Sequence, residues 1–170
     1  MEDIPGMVTT LEDILVKEFR LCQSLHNITK DERLALTKND VPVLSTLVEQ
    51  KEALLDDLGQ MEEQRRMISQ YLGEVFGIRT DSPSLAELST SLSVDIGGRI
   101  THLREGILAI AEEIKALTSG NRALAMASMN RVDAVQSFLL DIFRPAINYD
   151  RPGAPKNAYA DAVYDVDQSV

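Results

Sequence analysis

Hydrophobic positions recur at alternating steps of three and four along three long stretches of the chain. That spacing puts each set on one face of a helix. The first stretch reads Leu11, Ile14, Glu18, Leu21, Leu25, Ile28, Glu32 and Ala35, with six of the eight positions apolar. Thr9 or Thr10 can cap it, and Glu12 and Asp13 suit its first turn. The predicted helix covers about 10–38. It stops at "TKNDVP", where Asn39 suits a turn, Asp40 an N-cap and Pro42 a first helical turn.

The second helix is predicted over about 41–76, with the seam Leu44, Leu47, Lys51, Leu54, Leu58, Met61, Arg65, Ile68, Leu72 and Val75. Ser82 followed by Pro83 opens a short helix over about 84–90. The third long helix is predicted over about 95–143. Its seam runs Ile96, Ile100, Leu103, Ile107, Ile110, Ile114, Leu117, Asn121, Leu124, Ser128, Arg131, Val135, Phe138 and Ile142. The phase survives Gly120, so one continuous helix is expected, with a break at "TSGN" as the alternative. Pro145 ends it, and residues 144–170 read as a flexible tail. The expected fold is all-α: an antiparallel bundle or coiled coil of three long helices with a short connecting helix. A helical domain over 1–143 precedes the tail.

Four charges sit where the first two seams call for apolar residues: Glu18 and Glu32 in the first helix, Lys51 and Arg65 in the second. A short turn makes these two helices antiparallel neighbours. If the hairpin folds near residues 38–40, Glu32 meets Lys51 and Glu18 meets Arg65. Both pairs sum to 83 in residue number, so one register serves both. Charges in a coiled-coil seam sacrifice stability to fix register. The bland alternative is that all four side chains reach to the seam edge and stay solvated.

Lengths point to a second feature. At 1.5 Å per residue the three long helices span about 42, 54 and 73 Å. The last should draw level with the hairpin turn near residue 130, leaving an apolar overhang. The candidate partner-binding residues are Met129, Val132, Val135, Phe138, Leu139, Ile142 and Phe143. Such a face implies a partner; the alternatives are that the short helix, the tail or a second copy of the chain covers it. The stretch "ALAMASM" just before it offers flexible methionines.

Composition narrows the function. The 170 residues carry a net charge of −10, which argues against a nucleic-acid partner. Aromatic residues are sparse and Trp is absent, which suits helices. No apolar run approaches the roughly 18 residues of a membrane span, and no signal peptide is read. The single Cys22 fits a reducing cytoplasm and a small core position. Diiron bundles need Glu-x-x-His pairs, but Gln23 and Arg99 stand three residues before His26 and His102. Both histidines read as solvated edge residues. No cofactor, metal or catalytic constellation is expected.

The stretches "LSTLVEQKEALLDDLGQMEEQRR", "LTSGNRALAMASMNRVDAVQSFL" and "NYDRPG" together resemble the FlgN-type flagellar export chaperones over about Leu11 to Gly153. The resemblance implies a cytoplasmic, non-enzymatic, all-helical chaperone. It would hold the C-terminal helical region of hook–filament junction proteins, prevent premature assembly and deliver them to the type III export gate. It also implies contact with the cytoplasmic domain of the export gate, through a tyrosine matching Tyr149, and with the export ATPase complex. Two departures stand out. Ser119 and Gly120 occupy the place of a second Asn often found in the family, and Tyr159 and Tyr164 offer further tyrosines. The alternatives are a coiled-coil scaffold or homodimer, and a related chaperone for another axial protein.

Overall fold

A computed structural model describes residues 4–80 and 82–143. Four helices follow one another: α1 Ile4–Lys38, α2 Val41–Val75, α3 Leu85–Ser91 and α4 Val94–Phe143. The described residues contain no strand. The chain divides into two compact units, Met1–Asn130 and Arg131–Val170. The expected flexible tail over 144–170 lies outside the described residues.

In the first unit, local chemistry sets the helix ends. At the α1–α2 turn Asn39 adopts φ 53°, a left-handed conformation that Asn tolerates. It lets Asp40 N–H reach back to Ala35 O and Asn39 N–H to Leu36 O, satisfying carbonyls that the end of α1 leaves open. Asp40 then caps α2 by accepting from Val43 N–H, with Pro42 in the first turn. The end of α2 repeats the device. Gly77 takes φ 70°, and Ile78 N–H donates to Gly73 O. Ser84 and Glu87 form a reciprocal capping box at α3.

The start of α1 differs from the expectation. Thr9 and Thr10 lie inside the helix, and their hydroxyls donate to the carbonyls of Pro5 and Gly6. Pro5 is accommodated because a proline in the first turn forfeits an N–H that has no helical partner there.

All four helices meet in one core cluster of the first unit. Val8, Leu11 and Leu15 of α1 pack with Leu72 of α2, Leu88 of α3 and Ile100 of α4. Each such side chain contributes roughly 1.5–3 kcal/mol by leaving water. Away from this cluster α1 is the most enclosed helix, with Ile14, Cys22, Leu25, Thr29 and Ala35 also buried. Its buried positions form two stripes rather than one. The second runs through Leu15, Cys22 and Thr29, between the seam positions of the first.

The helix α4 is continuous through Gly120. Its covered side drifts after Asn121: Ala125 is partly covered, whereas Leu124, assigned to the seam by strict spacing, is exposed. A straight helix has 3.6 residues per turn, so a seven-residue pattern slides off one face over many turns.

Candidate functional site

Two arrangements carry the chemistry of this molecule. One is a set of polar contacts along α1, and the other is an exposed apolar run near the end of α4.

The antiparallel α1–α2 pair brings the four seam charges together. Arg65 Nε donates to Glu18 Oε1 at 2.9 Å, and Lys51 Nζ donates to Glu32 Oε2 at 2.7 Å. Glu18 and Glu32 are themselves buried. Burial pushes the Glu18 carboxyl above its ordinary range, and the hydrogen bond and charge of Arg65 offset this only in part. Burial, and secondarily the neighbouring Glu18 carboxylate, push the Cys22 thiol up, so it is held in its unreactive protonated form.

The other stripe of α1 meets α4 in a second register, running parallel. Arg99 donates to Glu12, 87 positions earlier. The Phe19 ring lies over Gly106, His26 Nε2 sits 3.0 Å from Glu113 Oε2, and Arg33 lies over Gly120. The four partners on each helix are spaced by seven residues at the same offset of 87. His26 is therefore not a solvated edge residue, since only 15% of its side chain is exposed. His102 is exposed, as expected.

A polar knot joins the two registers. Asn121, buried on α4, donates through Nδ2 to Thr29 O at 2.8 Å and to Glu32 Oε2 at 3.3 Å. Its Oδ1 accepts from Arg33 Nε at 3.1 Å, and Arg33 Nη2 donates to Leu117 O at 3.2 Å. Glu32 thus receives both Lys51 of α2 and Asn121 of α4. Gly120 permits the arrangement: a Cβ there would fall on the Arg33 guanidinium. Sequence reasoning placed Asn121 on a seam but missed Thr29, Arg33 and the role of Gly120. A constant difference between complementary residues, rather than a constant sum, would have revealed the parallel register.

The second unit contributes residues 131–143 of α4. Its large apolar side chains face solvent: Val132 is 55% exposed, Val135 57%, Phe138 64% and Ile142 57%, with Leu139 and Leu140 exposed as well. Val132, Val135, Leu139 and Ile142 follow helical spacing, and Phe138 borders that stripe. Met129, in the first unit, is also exposed. Phe143 is the last helical residue; its side chain and Tyr149 lie outside the described residues.

Among the described residues no group of three His, Cys, Asp or Glu side chains could hold a metal ion. No described helix is long and apolar enough to cross a membrane.

Comparison with the curated proteins gave no match, and neither did comparison with the solved structures. The family model described as "FlgN protein" matches residues 7–157. That span takes in α2, α4 and all of α1 but its first three residues, with both α1 registers and the exposed apolar run. The chain belongs to the FlgN family of flagellar export chaperones.

Proposed function

We propose that this chain is a cytoplasmic chaperone that captures hook–filament junction proteins by their C-terminal helical region and passes them to the flagellar export gate. The observation that carries this reading is the exposed apolar run Val132–Ile142 on a helix of a FlgN-family chain. Six large apolar side chains exposed within eleven residues make a surface for an amphipathic partner helix. Such a client orders as it binds, which lowers affinity and suits a partner that must later be released. No catalysis is required. Tyr149 serves as the docking residue for the export gate in this reading, and contact with the export ATPase complex belongs to the same delivery step. Glu18, Glu32, Lys51 and Arg65 have a structural part, setting the α1–α2 register.

The test is co-purification of the full chain with a hook–filament junction protein. Replacing Val135, Phe138 and Ile142 together by Asp should abolish capture while circular dichroism stays helical. Capture by the triple variant would sink the assignment of the site. The second reading, a homodimer through the same exposed run, predicts a concentration-dependent dimer in light scattering that the same triple variant abolishes.

A further inference from the structure

The covered side chains of α4 change character at Leu117. Before it they are large and apolar: Ile100 is fully buried, and Ile96, Leu103, Ile107, Ile110, Ile114 and Leu117 are partly covered. After it the covered positions are Gly120, Asn121, Ala125 and Ser128, while Leu124, Met126 and Met129 are exposed. Little apolar surface therefore holds this part of α4. The Asn121 knot holds it instead.

We propose that the α4 segment from about 118 to 130 is a releasable strap, latched to α1 by Asn121 and Arg33 and able to open while the apolar part of α4 stays docked. Three features make the latch reversible. Opening leaves Glu32 paired with Lys51 at 2.7 Å, so no buried carboxylate is stranded. The Thr29 hydroxyl keeps its own bond to Leu25 O at 2.7 Å. The carbonyls of Thr29 and Leu117 lie within helices, where each is also an acceptor in the helix ladder, so losing Asn121 or Arg33 removes only a second partner. Only Asn121 and Arg33 lose their partners, and water replaces those as both become exposed. Opening uncovers the α1 stripe around Thr29 and Arg33 and the facing side of the strap. The strap is a conformational device beyond client capture and does not depend on where a client binds.

Native-state hydrogen exchange on the full chain tests it. A short helix with no neighbour is marginal in water, so a strap that opens loses amide protection. Amides of 118–130 should exchange at least tenfold faster than those of 103–114 in the wild-type chain. Asn121→Ala should accelerate the strap a further several-fold and leave 103–114 and the α1–α2 pair unchanged. Equal protection across 103–130, or an Asn121→Ala effect spread evenly over α1, α2 and α4, overturns the proposal. A distance measurement separates opening from unwinding in place. Spin labels at Thr37→Cys and Ala127→Cys, with Cys22→Ala, should give two distance populations, the longer one growing in Asn121→Ala. A single unchanged distance in both backgrounds overturns it.

Discussion

Glu32 Oε2 receives Lys51 Nζ from α2 at 2.7 Å and Asn121 Nδ2 from α4 at 3.3 Å. One carboxylate oxygen of α1 thus ties together all three long helices of the first unit. At the Glu18–Arg65 pair, two heptads away, the further partner is Glu62 of α2 itself, 3.7 Å from Arg65 Nη2. The pair therefore reports on the α1–α2 contact alone.

That isolation makes Glu18 and Arg65 the cleaner pair for a swap. Glu18→Lys and Arg65→Glu should each lower the melting temperature, since each puts like charges together in a mostly buried setting; the loss is on the order of 2 kcal/mol. The double variant should recover at least half of it. A double variant that melts no higher than either single would show that the two residues are not energetic partners.

Acid stability should carry the mark of Glu18. Its carboxyl is raised by burial, so the folded chain holds that proton more tightly than the unfolded one. The sign follows: this stabilising contribution is full below the ordinary glutamate range and is lost as pH rises through the raised value. Glu18→Gln has no such proton to lose. Unfolding midpoints measured from acid to neutral pH should therefore fall for the wild type relative to Glu18→Gln just above the glutamate range. A wild type that gains on the variant across that window would mean Arg65 outweighs burial.

Two glycines should respond oppositely to the same methyl group. Gly59 in α2 has open space around a prospective Cβ, so Gly59→Ala should stabilise by about 0.5–1 kcal/mol. Gly120 lies under the Arg33 guanidinium, so Gly120→Ala should forfeit that gain and disturb the knot. Thermal melts of the two variants decide the matter: equal gains would mean Arg33 has no firm seat on α4.

The hairpin turn offers a backbone test. Asn39 at φ 53° should accept Gly with little change or a small gain. Asn39→Val should cost about 1–2 kcal/mol, because a β-branched residue is disfavoured in that region. Urea unfolding midpoints would measure both.

Most helix boundaries were legible in the sequence because their signals are local. Asp40 and Pro42 act within one turn of where they stand, whereas at α3 the sequence reading rested on Ser82 and Pro83 and the cap is made by Ser84 and Glu87. The α1–α2 pairing was legible because opposite charges interrupted two leucine seams at the same interval. The second face of α1 was not. It is written in His26, Thr29 and Arg33, residue types that read as solvated or neutral until a partner helix is present. Thr9 and Thr10 misled for a related reason. A threonine that caps a helix and one that donates back to the preceding turn look alike without the backbone. Helix lengths alone placed Val132, Val135, Phe138 and Ile142 in an apolar overhang, and these four residues are exposed.

The double engagement of α1 makes the three long helices unequal before insertions and deletions. One residue added between Glu18 and Glu32 would rotate everything beyond it by about 100°. It would throw both the pairs summing to 83 and the pairs offset by 87 out of phase in a single event. The same insertion in α2 would break only the first set, and in α4 only the second. The length of α1 is the fixed measure of this architecture, to which any change of length in the other two helices must be fitted in whole heptads.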